Sequence, residues 1–237
     1  MEEPLSIRLD DHLVTTTMRT PGHDFELAAG FCHAEGLLDG VEIAGIRYCA
    51  TGSATDTEYN VVTVDTAGRA PVPAPRLSTT SSSCGLCGRE AIEELTGRLA
   101  PLPPGQAIDP AVLASVADRV RPHQGLFAST GALHAAALFD REGNVLLVRE
   151  DIGRHNAVDK VVGRSLLDRS LPASGLGLFV SGRASFEMVQ KAWAAGVASM
   201  VAVSAPSALA VDTARAAGLQ LAGFARGGSL NLYSPER

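Results

Sequence analysis

Hydrophobic positions in the second half of this chain alternate between short apolar runs and segments with helical periodicity. Strands are predicted at 133–139, 145–148, 176–180, 197–203, 220–224 and 230–233, and helices at 156–167, 186–195 and 208–217. Continuous apolar strands that alternate with helices are typical of a mostly parallel sheet covered by helices on both faces. Residues 109–237 are therefore predicted to form a three-layer α/β domain with a mostly parallel sheet.

The N-terminal region has shorter and less regular elements. Strands are predicted at 6–9, 14–18, 41–49 and 58–65. A helix is predicted to follow Asp24, which we take as its N-cap because the apolar positions beyond it share one helical face, namely Leu27, Phe31, Ala34 and Leu38. Residues 1–80 are therefore predicted to form a smaller α+β region.

The composition changes between these two regions. Pro, Ala, Ser and Thr dominate 66–83, which predicts a surface loop, and a short helix is predicted at 89–98. The proline-rich stretch 101–105 is typical of a linker. Asp109 followed by Pro110 then has the pattern of an N-cap and a first-turn proline. We assign 81–108 to a cysteine-bearing loop, a short helix and a linker.

Charge and composition restrict the class of function. The chain has 237 residues, of which 46% are hydrophobic and 19% charged, and its formal net charge is −6. The acidic balance argues against a protein that binds nucleic acid through its phosphates. The opening Met1-Glu2-Glu3-Pro4 lacks the pattern of a secretory signal, and the uncharged run 192–211 is too weakly apolar for a membrane span. We expect a cytoplasmic protein with neither nucleic-acid nor membrane partners.

Two closely spaced cysteines, Cys84 and Cys87, are the first candidate for chemistry. Four cysteines in a chain of this length do not form a disulfide scaffold, and in a cytoplasm they are reduced thiols. A thiol just before a helix can have its thiolate stabilised by the helix N-terminus, which favours a nucleophile that accepts sulfur or exchanges disulfides. The alternative without a function is a pair of small buried residues.

A zinc site is the main functional alternative for the two cysteines. His33 and Glu35 supply a His-x-Glu pattern upstream, and together with Cys84 and Cys87 they approach the signature of zinc deaminases. In such a hydrolase one His and two Cys bind the metal and the Glu transfers protons. Ser83 stands where that signature has proline, which weakens the match.

The segment 149–160 is a second candidate, because it carries many charged residues where a strand ends and a helix begins. Arg154, His155 and Asn156 could present hydrogen-bond donors to an anion there, supported by the helix N-terminus. Ordinary capping of the helix by polar residues is the alternative.

Three strand-to-helix or strand-to-strand turns form the third candidate. The turns 181–185 and 204–207 follow two successive strands, and ligands of open α/β sheets collect at such carboxyl ends. The turn 224–229 joins the last two strands. Its composition suits a phosphate or nucleotide, with Phe224 for stacking on a base, Arg226 for charge and glycines for backbone N–H groups.

Taken together, five segments of the chain resemble the FdhD/NarQ family of formate dehydrogenase accessory sulfurtransferases. They are 18–27 (MRTPGHDFEL), 83–88 (SCGLCG), 150–160 (EDIGRHNAVDK), 181–191 (SGRASFEMVQK) and 223–226 (GFAR). The segments occur in the family's order and span essentially the whole chain. The resemblance implies that the larger domain has a cytidine-deaminase-like fold, and that family members carry more sequence before the segment that begins here at Met1.

The resemblance also implies a function. It implies a sulfur carrier that accepts persulfide sulfur from a cysteine desulfurase and passes it to the molybdenum cofactor, Mo-bis(molybdopterin guanine dinucleotide), before that cofactor enters formate dehydrogenase. The persulfide role maps onto Cys84, with Cys87 assisting, and no metal-ligating residue is implied. A homodimer is the family's expected state.

The same resemblance places the cofactor's binding segment near the C-terminus of the chain. The cofactor is bound there as cargo, and a guanine nucleotide such as GDP is expected to mimic it. The six residues to which this segment maps are Phe224, Ala225, Arg226, Gly227, Gly228 and Ser229.

A third possibility is a chaperone that holds the cofactor without transferring sulfur, and it predicts full biological activity for Cys84→Ala.

Overall fold

The computed structural model describes residues 2–49, 53–55, 57–73, 97–105 and 107–235. In this part, the strands are β1 (Glu3–Leu9), β2 (His12–Arg19), β3 (Gly45–Tyr48), β4 (Val61–Asp65), β5 (His134–Phe139), β6 (Val145–Asp151), β7 (Gly177–Val180), β8 (Ser199–Ala202), β9 (Gln220–Arg226) and β10 (Ser229–Ser234). The helices are α1 (Asp24–Ala34), α2 (Pro110–Val120), α3 (Gly125–Thr130), α4 (Arg154–Leu167), α5 (Phe186–Ala194) and α6 (Ala208–Ala217). In the described ranges no helix has the length and apolar character needed to cross a membrane.

The N-terminal elements form a four-stranded sheet in the order β2-β1-β4-β3, with β1 parallel to β4 and the outer pairs antiparallel. Helix α1 packs on one face, where Leu27 and Cys32 meet Ile7 and Val62 in a dry cluster. This agrees with the predicted α+β region. The predicted N-cap was wrong, because α1 begins at Asp24 after His23, and the Asp24 carboxylate is instead bound by the buried guanidinium of Arg19.

The C-terminal elements form a six-stranded sheet in the order β10-β9-β8-β7-β5-β6. β7, β8 and β9 are parallel neighbours, whereas β5 is antiparallel to both β6 and β7, and β10 is antiparallel to β9. The sheet is therefore mixed, and the predicted mostly parallel character was wrong. In sequence, strand β6, helix α4 and strand β7 follow one another as in a pair of adjacent parallel strands joined by a helix. In the sheet, however, β5 lies between β6 and β7. A short hairpin at each edge reverses the chain, which only antiparallel neighbours allow.

Helices cover both faces of this sheet. On one face, alternate strand residues such as Leu178 and Met200 pack under α4, α5 and α6. On the other, Phe179 and Val201 pack with residues of α2 such as Val116. The described part thus has helices on both faces of the sheet, and the predicted three-layer arrangement stays a prediction. Its likeness to the cytidine-deaminase fold stays a prediction.

The stretch predicted as a linker is packed onto the C-terminal sheet. The indole Nε1 of Trp193 donates to the Ala100 carbonyl at 2.7 Å, and the Leu102 amide donates to the Ala217 carbonyl at 2.9 Å. The side chains of Leu99 and Leu102 join the core beneath α5 and α6. Leu99 and Leu102 therefore fix this segment, and the domain boundaries at 80 and 108 stay predictions.

Helices α1 and α4 connect the two sheets by an unusually close crossing. A Cβ atom on Gly30 would lie 1.9 Å from the Asp159 carbonyl oxygen, and one on Gly163 would lie 1.8 Å from the Glu26 carbonyl oxygen. Both distances are far inside van der Waals contact, and both clashes involve backbone. The crossing therefore requires glycine on each helix.

We expect Gly163→Ala to lower the free energy of unfolding by about 2 kcal/mol or more, because overpacking against backbone outweighs the helix propensity of about 1 kcal/mol that alanine adds. Urea unfolding measures the change. The control is Gly125→Ala in α3, where nothing lies within 4 Å of the added Cβ. Equal stabilities of Gly163→Ala and the parent protein would contradict the close crossing.

A histidine near the end of α1 makes this region sensitive to pH. The Nε2 atom of His33 lies 3.1 Å from the Ala194 carbonyl at the end of α5, which fixes the neutral ring as the donor. Burial lowers the pKa of His33 below its usual 6.5. The unfolded chain therefore takes up a proton at a higher pH than the folded chain does.

The difference between the folded and unfolded pKa of His33 determines how stability depends on pH. The stabilisation due to His33 is present above its unfolded pKa and is lost as the pH falls through the folded value. We expect the free energy of unfolding to fall between about pH 7 and pH 5, and His33→Gln, which keeps a donor, to flatten that fall. Identical pH profiles for the variant and the parent would exclude His33 as a cause.

Candidate functional site

The three turns singled out in the sequence lie side by side at one edge of the six-stranded sheet. The Ser204 amide donates to the Gly182 carbonyl at 3.3 Å, and the Phe224 amide donates to the Ser204 carbonyl at 3.2 Å. Ala184 and Pro206 form an isolated parallel bridge. The carboxyl ends of β7, β8 and β9 therefore make one continuous rim, as the sequence predicted.

His134 belongs to the same rim, although no motif in the sequence indicated it. It begins β5, which runs opposite to β7, so that its ring reaches the carboxyl end of that strand. Its Nδ1 lies 3.4 Å from the Ser181 hydroxyl oxygen, which accepts a hydrogen bond from the Ala135 amide at 2.9 Å. Burial, followed by the charge of Arg154, lowers the pKa of His134 and favours the neutral ring at neutral pH. The sequence signal that could have indicated His134 is its place at the start of a predicted apolar strand.

Arg154, at the start of α4, lies across the neighbouring turn. A Cβ atom on Gly182 would be 3.4 Å from Arg154 Cδ and 3.5 Å from the His134 ring. Glycine at this position therefore leaves room for the arginine stem and the histidine to pack over the turn. Arg183, the next residue, is exposed.

The next residue of α4, His155, faces Glu187 in the first turn of α5. Its Nε2 lies 3.8 Å from Glu187 Oε2, and both side chains are mostly buried. The approach of His155, together with the Ser185 hydroxyl and the Glu187 amide, lowers the pKa of Glu187 to about 2. An ionised carboxylate is therefore present at the rim throughout the physiological range.

Much of segment 149–160 is structural rather than exposed to a ligand. Asp151 and Lys160 form a buried ion pair at 2.7 Å. Asp151 also accepts from the Thr20 amide at 3.1 Å, and Lys160 donates to the Thr20 carbonyl at 3.0 Å. The Asn156 amide group donates to the Met18 carbonyl at 2.8 Å and to Asp151 at 3.0 Å. The Asn156 side chain is therefore not available to an anion, and that expectation was wrong.

Two further members of the segment bind neighbouring elements. The guanidinium of Arg149 donates to Glu26 of α1 at 2.9 Å. The Glu150 carboxylate accepts from the amides of Leu126 and Phe127 and so holds the start of α3. Of the charged residues in this segment, Arg154 and His155 are the ones that the structure places at the rim.

The turn 224–229 closes the rim on the far side. Phe224 has a left-handed backbone with φ of 56°, which is uncommon for a bulky residue, and the residue is 39% exposed. Arg226 is exposed, whereas Ala225 points inward and is buried. Gly227 and Gly228 also have positive φ and complete the reversal into β10, and the Ser229 hydroxyl donates to the Arg226 carbonyl at 2.9 Å. The segment thus presents an aromatic ring, a cation and glycine backbone outward.

The cysteines divide into two groups. Cys84 and Cys87 lie outside the described residues. Cys32 is fully buried in the core, and burial raises the pKa of its thiol to about 12, which makes it unreactive in the folded protein. Cys49 is partly buried at the end of β3.

The residues of the zinc alternative have other contacts. His33 binds the Ala194 carbonyl, and Glu35 lies 3.6 Å from the buried ammonium of Lys191. Within the ranges that the structure describes, no group of three or more His, Cys, Asp or Glu side chains could bind a metal ion. These contacts do not support a deaminase-type zinc site.

Comparisons with known proteins agree with the motifs and the fold. A sequence model of the FdhD/NarQ family matches residues 1–237. A Streptomyces avermitilis protein named Sulfur carrier protein FdhD is 51% identical and covers 99% of this chain and 86% of its own. A protein of the same name from Corynebacterium efficiens is 45% identical and covers 100% and 88%.

A solved structure supports the same assignment. It is that of a proposed formate dehydrogenase accessory protein from Desulfotalea psychrophila, which is 26% identical. The two chains superimpose with a TM-score of 0.75, covering 100% of this chain and 88% of that one. From the match of sequence along the whole chain and the shared fold, we conclude that this protein belongs to the FdhD/NarQ family.

Proposed function

We propose that this protein is a sulfur carrier that takes persulfide sulfur from a cysteine desulfurase and transfers it to the molybdenum cofactor, Mo-bis(molybdopterin guanine dinucleotide). The loaded cofactor then enters formate dehydrogenase. The observation that carries the proposal is the similarity over the whole chain to relatives named as sulfur carriers. The fold shared with a proposed formate dehydrogenase accessory protein supports the recipient.

In this proposal, sulfur travels on Cys84. Its thiolate attacks the terminal sulfur of the donor's persulfide, the donor's S–S bond breaks, and the donor cysteine leaves as a thiolate. The chain then carries a persulfide on Cys84. Attack of the Cys87 thiolate on Cys84 Sγ forms a disulfide between the two residues and releases hydrosulfide. The two thiols supply the two electrons that reduce the transferred sulfur, so the step balances.

The guanine end of the cofactor is proposed to bind at the turn 224–229. The exposed ring of Phe224 offers a face for the base, and the exposed Arg226 can pair with phosphate oxygens. Backbone N–H groups around Gly227 and Gly228 allow close approach of an anion. GDP contains the same base and a diphosphate, so it is the natural probe of this site.

The proposal also includes the partners of the protein, its oligomeric state and its location in the cell. A homodimer in the cytoplasm is proposed from the family resemblance, with the desulfurase as donor and formate dehydrogenase as recipient. The chaperone alternative, in which the protein holds the cofactor without transferring sulfur, differs from this proposal in one testable respect. It does not require a thiol at position 84.

We expect a gain of one sulfur atom on the parent protein after incubation with a cysteine desulfurase and cysteine, and no gain on Cys84→Ala. Intact mass measured under non-reducing conditions detects it. Cys49→Ala is the matched control and should gain sulfur like the parent. An equal gain on Cys84→Ala, or none on the parent, would overturn the proposed relay.

Loss of the aromatic ring at position 224 should weaken binding of GDP. Stacking of a base on an aromatic side chain is worth about 1–3 kcal/mol, so we expect Phe224→Ala to raise the Kd for GDP about tenfold. Phe224→Tyr keeps the ring and should bind like the parent. Isothermal titration calorimetry gives both constants, and unchanged affinity of Phe224→Ala would exclude stacking on this ring.

A further inference from the structure

A cavity of about 400 Å³ lies at the edge of the six-stranded sheet that is opposite the rim. Ala198, just before β8, and Gln220, the first residue of β9, line it from the sheet. Two residues of the stretch before α2, Pro103 and Pro104, form one side, which we call the proline wall. The volume is within the range of small-molecule sites, about 300–1,000 Å³.

The proline wall is held in place on both sides. Before it, the Leu102 amide is bound to the end of α6. After it, the Gln220 side chain accepts from the Ile108 amide at 2.8 Å and donates to the Ile108 carbonyl at 2.9 Å. Arg141 donates to two backbone carbonyls between these points, at 3.2 and 3.1 Å. The cavity is therefore formed in advance of any ligand.

One buried polar side chain that lines the cavity has no partner. Ser234 ends β10 and is 3% exposed, and no residue in the ranges that the structure describes forms a hydrogen bond with its hydroxyl. The pairing of β10 with β9 is irregular between Leu232 and Ser234, and such irregularities redirect side chains. Because buried hydroxyl groups are nearly always paired, this one indicates a polar group from outside the chain.

A cation lies beside this hydroxyl in the lining of the cavity. Arg215 of α6 is exposed, and its Nη2 lies 3.5 Å from the Tyr233 carbonyl, at the outer limit of a hydrogen bond. A carboxylate offers a guanidinium shorter, charge-assisted contacts at two points. Among the described residues that line the cavity, none is acidic. The lining therefore favours an anion.

The end of α6 borders the cavity and opposes an anion only weakly. The carboxyl end of a helix carries a partial negative charge on its last carbonyls. Here the carbonyls of Ala214, Arg215 and Ala217 already accept hydrogen bonds from backbone amides, at 2.8, 3.2 and 2.9 Å. The full positive charge of the Arg215 side chain outweighs what remains.

We propose that this cavity binds a small organic carboxylate with a short aliphatic group. The carboxylate pairs with Arg215 and accepts a hydrogen bond from the Ser234 hydroxyl. The aliphatic group lies between the proline wall and Pro235, on the other side of the cavity. No thiol and no residue of the rim takes part, so this site is separate from the proposed sulfur transfer and from the proposed nucleotide site.

The test is titration of the isotope-labelled full chain with hexanoate, followed by NMR. Hexanoate should shift the backbone amides of Ala198 and Gly218, which line the cavity. Hexanamide has the same shape without the charge and should bind about tenfold more weakly, because hydrogen bonds between charged groups are stronger than neutral ones. Inorganic phosphate has the charge without the aliphatic group and should also bind more weakly than hexanoate.

Two variants assign the binding to the named side chains. Arg215→Gln should raise the Kd for hexanoate about tenfold, and Ser234→Ala should raise it about fivefold. Arg121→Gln is the matched control, because it removes the same charge from an exposed residue at the far end of α2, and it should bind like the parent protein. Urea unfolding of each variant confirms that it is folded, and Arg215→Gln carries the test if Ser234→Ala is not.

Three results would overturn the proposal. One is the absence of hexanoate-induced shifts at Ala198 and Gly218. The second is binding of hexanamide or inorganic phosphate as tight as that of hexanoate. The third is an equal Kd for Arg215→Gln and Arg121→Gln. None of these measurements involves Cys84 or GDP, so a failure here leaves the sulfur-carrier proposal to its own experiments.

Discussion

The crossing of α1 and α4 determines how the two sheets of this protein are joined. At Gly30 and Gly163 the backbones approach so closely that no Cβ fits on either helix. Beside the crossing, the pair Asp151 and Lys160 is buried with its polar atoms bound to both carbonyl and amide of Thr20. A buried ion pair with further hydrogen bonds tolerates little displacement, because separation of the charges would leave each of them unpaired in a low dielectric. The N-terminal sheet is thus held in one position relative to the rim.

This arrangement explains why one charged segment serves two purposes. In 149–160, Asp151 and Lys160 bind Thr20 in the loop that precedes α1, and Asn156 binds the Met18 carbonyl in β2. Arg154 and His155, between them in sequence, reach the rim. A helix repeats every 3.6 residues, so neighbouring residues of its first turn face different surroundings. The segment that orders the two sheets is also the segment that places Arg154 and His155 at the candidate site.

The sequence predicted the elements of the C-terminal sheet closely, because strands buried on both faces leave continuous apolar runs and helices leave a clear period. It did not predict the position of β5. Strand order depends on long-range packing, and the hairpin at 140–144 fixes only that β5 pairs with β6. The pairing of β5 with β7 also brings His134 to the rim, and for this reason the histidine was missed. Asp24 was mistaken for an N-cap because the pattern cannot show that Arg19 competes for its carboxylate.

The sequence predicted which turns form the candidate site but not how their side chains are arranged. Adjacent carboxyl ends of strands follow from topology alone, and the three turns do lie together. The inward direction of Ala225 and the left-handed backbone of Phe224 follow from an irregular register between β9 and β10, which no composition reveals. Glu187 lies at the end of the same rim. The sequence indicated it only as an acidic residue in the first turn of a predicted helix.

Because Cys32 is fully buried, its thiol can serve as an internal probe of whether the protein is folded. Its thiol is enclosed by the apolar cluster between α1 and the N-terminal sheet and is ionised only at strongly alkaline pH. An alkylating reagent applied to intact molecules therefore leaves this thiol unmodified. Labelling at Cys32 reports molecules in which α1 has left its sheet, so it measures how much of a preparation is folded.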